Sequence, residues 1–391
     1  MSAVHFCLIV DFMVVMPQGP QLMRSLEISA KSFGLLVSAY TFGAGVMSLF
    51  ASFFIDRYDR KHALLVAFFA FALCNLGCAV SDSYQSLFIA RCITGAFGGV
   101  VGTLIFSIVS DAIDVKRRAS ALGIVMAAFA LASIVGVPLC LVLSNRYGWH
   151  ASFYFLASVT LLISAVLWAK LPALNQHLAG GAPGGVAKSK AFKQFSGLVM
   201  HPSRALALVF MSFLILGHFS VIPFLFPSVV ANAHVTEAQL PVIYLVGGFS
   251  SIVSTILFGK AADRYGKGVV FALALLGSLP AIYLVTHLVP MPLVYVVLSV
   301  TSFFVLMGGR LTPATALVTA TVLPQNRGGF LSLIGSVQQL SAALAAFLAG
   351  LIVTKSGDGA LIGFAYVGFM AIAFSLLALV LSRFIIPVEE E

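Results

Sequence analysis

Charge is scarce in this chain. Asp, Glu, Lys and Arg together make up 9% of its 391 residues, and 60% of the residues are hydrophobic; a soluble domain carries about 25% charged residues. So little charge cannot cover a water-facing surface, and water is not the main solvent. Cysteine is scarce too: Cys7, Cys74, Cys78, Cys92 and Cys140 all fall inside apolar stretches, where free cysteine behaves as a small hydrophobe. No disulfide framework and no metal-ligand spacing is visible. A Gly-x-x-x-x-Gly-Lys-[Ser/Thr] segment is lacking, which excludes a P-loop ATPase, and there is no nucleophile constellation to support an intramembrane enzyme. Nothing in the sequence calls for a metal or a cofactor. Strand-like alternation is missing from runs such as Leu131-Ala132-Ser133-Ile134-Val135, which excludes a membrane β-barrel. The first apolar stretch lacks a basic leader and contains Asp11, which argues against a cleaved signal peptide.

What is there is a series of apolar stretches of roughly 18 to 27 residues, the length that crosses about 30 Å of hydrocarbon at 1.5 Å per residue. The predicted spans are 4–23, 33–55, 63–80, 84–110, 119–144, 150–169, 204–230, 238–261, 268–288, 291–316, 328–354 and 360–385. The fold class is therefore an all-α membrane protein of twelve spans. The net charge of +9 lies beside these spans; it reads as a topology signal and not as a nucleic-acid surface. Sixteen Lys and Arg flank the loops on the side of Arg60, Lys116 and Lys193, against four opposite (Arg24, Lys31, Arg146, Lys355). By the positive-inside rule both termini are cytoplasmic, which points to a multi-pass protein of a bacterial inner membrane.

The loop 170–203 contains Gly180-Gly181-Ala182-Pro183-Gly184-Gly185 and a lysine cluster, and reads as a flexible cytoplasmic linker. It separates an N-terminal bundle, 1–169, from a C-terminal bundle, 204–391. The two resemble each other at an offset of 207 residues: Asp56-Arg57-Tyr58 recurs as Asp263-Arg264-Tyr265, Asp11-Phe12 aligns with His218-Phe219, and Pro20 with Pro227. A parallel repeat of six-helix halves is one of the few layouts of secondary transporters, with the substrate site at the repeat interface.

With these residues in hand, the sequence resembles the major facilitator superfamily. That family carries Gly-x-x-x-Asp-Arg-x-Gly-Arg-Arg between helices 2 and 3. Here Ser52-Phe53-Phe54-Ile55-Asp56-Arg57-Tyr58-Asp59-Arg60-Lys61 matches its charged positions, with both glycines replaced, by Ser52 and Asp59. The second copy, Gly259-Lys260-Ala261-Ala262-Asp263-Arg264-Tyr265-Gly266, keeps both. Helix 4 supplies Arg91 with Gly95, Gly98, Gly99 and Gly102, similar to the family's arginine-glycine motif; small residues four apart let helices pack closely. Gly136 and Pro138 in helix 5 are similar to the drug:proton antiporter branch and its arabinose-efflux-permease-like members, although Val137 and Leu141-Val142 depart from the branch motif. The resemblance implies a monomeric transporter. It also implies a cytoplasmic gate built on the charged loops: Asp56, Arg57, Arg60 and Lys61 at the end of helix 2, Asp111 and Asp114 at the end of helix 4, and Asp263 and Arg264 in the second half.

The polar residues inside spans are few. Asp11 is the only acid well inside one, at a cost on the order of 3 kcal/mol at the bilayer centre. A carboxyl that gains and loses a proton between two access states is what proton coupling requires; the bland reading is a water-facing structural group. If Asp11 serves only as an arginine's partner, that argues against a proton role. His218, at the pseudo-symmetric position, either faces the same cavity or is a hydrogen-bonded core histidine. Arg91 and Arg310 are the only basic residues inside spans and are candidates for a substrate cavity, Arg91 as an anchor for an anionic solute or as a brace for helix 4. Gln338 and Gln339 are neighbours on helix 11, so at most one lines the cavity. Tyr40 and Asn75 are weaker candidates, and Pro17-Gln18-Gly19-Pro20 reads as a bend.

These features predict a proton-coupled secondary transporter that exports a small organic solute by alternating access, with protons, solute and lipid bilayer as its partners. A proton-driven importer or facilitator of the same fold, for a siderophore, sugar or organic anion, is the alternative. A membrane sensor or scaffold that transports nothing is a third reading.

Overall fold

The computed structural model describes residues 1–55, 58–113, 115–172, 174, 201–322, 327–357 and 359–385. Its N-terminal half contains α1 (Ser2–Val14), α2 (Gly19–Ser25), α3 (Ala30–Phe54), α4 (Arg60–Ala79), α5 (Tyr84–Ala112), α6 (Val115–Leu131), a π-helical turn (Ala132–Gly136), α7 (Val137–Tyr147) and α8 (His150–Lys170). The C-terminal half contains α9 (Pro202–Phe219), α10 (Ile222–Ala231), α11 (Leu240–Tyr265), α12 (Lys267–Thr286), α13 (Leu293–Thr319), α14 (Arg327–Ile352), a two-residue hairpin β1 (Thr354–Lys355) and β2 (Leu361–Ile362), and α15 (Phe364–Ser382). Among the described residues eleven spans are long and apolar enough to cross a membrane, and the bent pair α1 and α2 makes a twelfth. Much of the expected linker, together with Asp56, Arg57 and Asp114, lies outside the described residues.

The span expected at 4–23 is not one straight helix. α1 and α2 meet at 59°, because Pro17 lacks the N–H that would continue the ladder and Pro20 starts the next helix near its first turn. Helix starts follow local chemistry. Ser29 caps α3 by accepting from Ser32 N, 3.2 Å, and Ser83 and Ser86 form a reciprocal capping box at α5. The two copies of the charged motif turn differently. Gly266, between α11 and α12, has φ +93°, a conformation that only glycine adopts without strain. Asp59 has φ −54° and is instead the N-cap of α4, its carboxylate accepting from Lys61 N at 2.7 Å. The first copy therefore needs no glycine there.

Loops alternate between two faces: a basic face bearing Arg60, Lys61, Lys170, Arg264 and Lys267, and a far face bearing Arg24, Arg146, Glu237 and Lys355. Between them the outer helix surfaces present apolar side chains such as Val66, Leu162 and Leu273, each at least 65% exposed, as a lipid-facing surface requires.

Two seams join the halves. Along the first, α3 packs on α14: Gly34 sits so near Gly350 that a Cβ would stand 2.8 Å from its Cα, and Ser48 Oγ lies 2.7 Å from Ser336 Oγ. Along the second, the π turn meets α11 where Gly248 packs on Ser133. Toward the far face one continuous apolar core contains Val14, Leu22 and Phe33 from the first half with Phe224, Phe226 and Tyr244 from the second. Toward the basic face the cores separate, one around Phe68 and Leu104, the other around Phe210 and Phe330. The shared core thus lies toward the far face, and toward the basic face the two separate cores meet where α3 runs beside α14, Leu49 packing against the second.

Candidate functional site

In the N-terminal half the buried polar centre forms where α1 crosses α5. Arg91 Nη1 donates to Asp11 Oδ1 at 2.8 Å and Nη2 donates to the Asp11 backbone oxygen at 3.2 Å. Its guanidinium carbon lies 4.5 Å from the centre of the Tyr40 ring and 5.8 Å from that of Phe153, inside the range of cation–π attraction. Asp11 is 0% exposed, Arg91 1% and Tyr40 3%. Asp11 Oδ2 and Arg91 Nε have no hydrogen-bond partner among the described residues. Asn75, also buried, donates to Phe71 O at 3.1 Å and its Oδ1 has no such partner.

Glycines bring the helices to this distance. A Cβ at Gly95 would stand 2.0 Å from Tyr40 O, and one at Gly99 would stand 2.3 Å from Ala44 O, so α3 and α5 touch backbone to backbone and Tyr40 lies across Arg91. Gly102 does not share this role. A Cβ there meets nothing within 4 Å; residue 102 lies only about 20° round the helix from Gly95, so the close approach of α3 has ended by that level. Gly136 packs on helix α1, a Cβ there approaching Val10 to 2.2 Å. Pro138 lies two residues past the end of the π turn, whose exit is marked by the Val137 N–H bonding back to Ala132 O.

The pseudo-symmetric residue His218 makes no hydrogen bond or ion pair with Asp11 among the described residues. Its ring packs on Phe219 and Phe303 at 5.2 and 6.3 Å between centroids, inside the C-terminal half. Arg310 is 0% exposed and donates from Nη1 to Ser278 Oγ at 3.2 Å and Ser375 Oγ at 2.9 Å. Arg91, Arg310 and Tyr40 are consequently enclosed by their own bundles and not spread along a water-lined wall. Gln338 and Gln339 are both half-buried, without a hydrogen bond among the described residues.

At the basic face Arg60 Nε lies 2.8 Å from Asp111 Oδ2. Both belong to the N-terminal half, so the pair ties the start of α4 to the end of α5. Lys61 is the first-turn residue whose N–H bonds Asp59. Asp263 and Arg264 are exposed and make no ion pair among the described residues, with Arg264 lying 5.2 Å from the Tyr265 ring.

A polar cluster at the far face was not anticipated from the sequence. Arg24 binds Glu237 through both carboxylate oxygens, Nη2 reaching Oε2 at 3.1 Å. Asn145 Nδ2 donates to Glu237 O at 3.0 Å, and Gln21 Nε2 donates to Asn145 Oδ1 at 3.1 Å. This latch joins the two halves. The one sequence signal was Glu237, the single Asp, Glu, Lys or Arg in its far-face loop, facing a loop that carries Arg24 with Glu27 and Lys31.

The model of the Major Facilitator Superfamily matches the chain over residues 1–309 and again over 208–391. The chain belongs to the major facilitator superfamily. It is a multi-pass membrane transporter and not an enzyme. It is 22% identical over 371 residues to the uncharacterized MFS-type transporter YceJ of Bacillus subtilis, covering 94% of this chain and 92% of that one. It is also 22% identical over 244 residues to a probable sugar efflux transporter of Helicobacter acinonychis, covering 62% of this chain and 60% of the relative. The fold of this superfamily member is similar to the inward open conformation of the xylose transporter XylE from E. coli, with a TM-score of 0.74 at 15% identity, covering 99% of this chain and 95% of that one.

Proposed function

We propose that this transporter is a proton-coupled exporter of a small organic solute, working by alternating access as a monomer in the bacterial inner membrane. The basic face and both termini are cytoplasmic in this reading, and the far face is periplasmic. One observation carries it. Asp11, the only acid well inside a span, is fully buried and engages Arg91 through one carboxylate oxygen, while the other has no hydrogen-bond partner among the described residues. A carboxylate used as a structural counter-ion alone is usually satisfied at both oxygens. The proposal places the transferred proton on Oδ2; neutralising Asp11 would weaken the tie between α1 and α5 and let the first half change its packing. Similarity to the Helicobacter acinonychis sugar efflux transporter supports export and makes monosaccharides the first solutes to test. Arg60 and Asp111, with Asp56 and Arg57 just before Arg60 in sequence, are the proposed cytoplasmic gate.

Proteoliposomes test the reading. With labelled monosaccharides in one compartment and a proton gradient directed into it, wild-type protein should move solute against the proton flow, and Asp11→Asn should lose the gradient dependence. Full gradient-driven flux in Asp11→Asn would remove Asp11 from proton coupling. Solute and protons moving in the same direction would make the chain an importer.

A further inference from the structure

Arg91 in the first half and Arg310 in the second are each 1% exposed or less, and among the described residues only one of the two has a counter-ion. Arg91 has Asp11 at 2.8 Å. Arg310 makes no ion pair among the described residues, and its Nε and Nη2 have no hydrogen-bond partner there. Those two atoms form the side-on edge of the guanidinium, the fork that matches an oxyanion. Of the two hydroxyls that accept from Nη1, Ser278 gives its own proton to Leu275 O at 2.7 Å. Ser375 accepts from Arg310 at 2.9 Å and no acceptor for its proton occurs among the described residues. Arg310 Nε and Nη2, and the Ser375 hydroxyl held at Nη1, are thus donors without an acceptor among the described residues at one fully buried positive charge.

No acid among the described residues pairs with it. Glu237 is held in the far-face latch and Asp263 is exposed at the basic end of α11. At the place where the repeat puts an acid in the first half, Asp11, the second half has His218, which lies within electrostatic range of Arg310. Gly217 beside it leaves room for the hydroxyl, since a Cβ there would stand 2.6 Å from Ser375 Oγ.

We propose that Arg310 and Ser375 form a binding site for a small anion inside the C-terminal half, between α9, α12, α13 and α15, and that the anion is the counter-charge Arg310 lacks. The chemistry is that of a halide or a carboxylate-sized anionic group. The site stands independently of proton coupling and of export.

Anion-dependent thermal unfolding of the purified full chain, dialysed into gluconate and titrated at constant ionic strength and pH with chloride, bromide or formate, tests this without any gradient. The unfolding midpoint of the wild type should rise saturably with a small anion and stay flat in gluconate, which is too large for the enclosed site. Arg310→Gln should abolish the dependence, and Ser375→Ala should raise the half-saturating concentration about tenfold, the weight of one hydrogen bond to a charged group. A wild type indifferent to all small anions, or an Arg310→Gln protein that responds like wild type, overturns the site. Should Arg310→Gln fail to fold, Ser375→Ala decides alone, and an unchanged half-saturation overturns the site. Saturation by chloride identifies a halide from solution; saturation by formate but by neither halide identifies the anionic group of a carboxylate solute. Either supports the site.

Discussion

Phe12 and Phe219, which stand 207 residues apart and occupy equivalent positions in the two halves, meet with ring centroids 5.8 Å apart. Each follows the polar residue that the repeat aligns, Asp11 in one half and His218 in the other. Consecutive residues on a helix point about 100° apart, so a contact made by the phenylalanines turns both polar side chains away from the meeting line and into their own bundles. That rotation explains why Asp11 finds Arg91 and His218 packs on Phe303. At this level the halves touch through an apolar pair, and Asp11 and His218 turn into their own bundles on either side of it.

The far-face latch sets how readily the molecule opens there. Arg24 is 57% exposed at its side chain, so the pair contributes about 0.2–1 kcal/mol, and its loss should raise the far-face-open population by up to about fivefold. A cysteine replacing Phe226, 1% exposed in the shared core, reports this through labelling by a membrane-impermeant maleimide. Arg24→Ala and Glu237→Gln should both speed labelling, high salt should mimic them, and the swap Arg24→Glu with Glu237→Arg should restore slow labelling. Equal rates in all four proteins would mean that the latch does not hold the face.

Asp59 stands where the family motif has glycine, and its role as a cap predicts a graded mutational response. Asp59→Ala should destabilise by about 0.5–2 kcal/mol, whereas Asp59→Gly should cost only a few tenths. Its carboxyl is held below the ordinary carboxylate range: burial, the largest single influence, acts in the opposite direction, but the backbone N–H groups of Lys61, His62 and Leu174 and the His62 charge together outweigh it. The contribution is therefore fully present above the ordinary Asp value of about 3.9 and is lost as pH falls through the lowered one. Thermal unfolding at pH 7 and in acid checks both; a larger loss for glycine than for alanine would exclude the cap.

Much of this was legible in the sequence, and the part that was not has a common physical cause. Hydropathy marks a span because each helix must be apolar over the whole bilayer, and the repeated Asp-Arg-Tyr tripeptides mark the halves because they recur at a fixed offset in the sequence. The bend at Pro17-Gln18-Gly19-Pro20 was visible as chemistry. Which polar residue meets which was not, because a partner is chosen by helix rotation and tilt. Arg24 and Glu237 are 213 residues apart and sit in no motif, and Ser278 and Ser375 became Arg310's partners only when α12 and α15 closed around α13.

Gly95 and Gly102 show the same effect as a testable contrast. Both belong to one run of small residues, yet a Cβ at Gly95 would stand 2.0 Å from Tyr40 O and one at Gly102 meets nothing within 4 Å. Gly95→Ala should force α3 from α5 and cost about 1–3 kcal/mol as overpacking, and it should also disturb the Tyr40 contact to Arg91. Gly102→Ala should be neutral or stabilise by up to about 1 kcal/mol through helix propensity. Thermal unfolding of the two variants separates them, and equal losses would show that the close approach of α3 is not what the glycines serve.

The Asp11 and Arg91 pair should behave as a unit in which half is worse than none. Removing one partner of a buried pair leaves a charge without compensation, at a cost of about 3–5 kcal/mol, while removing both charges is often close to neutral. Arg91→Gln should therefore unfold at lower temperature than Arg91→Gln combined with Asp11→Asn, although the double variant carries more changes. Arg91→Lys should fall between wild type and Arg91→Gln, since an ammonium keeps the charge but cannot reach Asp11 Oδ1 and the Asp11 backbone oxygen together while lying flat over Tyr40. Equal destabilisation by Arg91→Gln with and without Asp11→Asn would mean that Asp11 is neutral beside Arg91 in the folded chain. The proton would then already reside on the carboxyl in this state, and the coupling step would be its release.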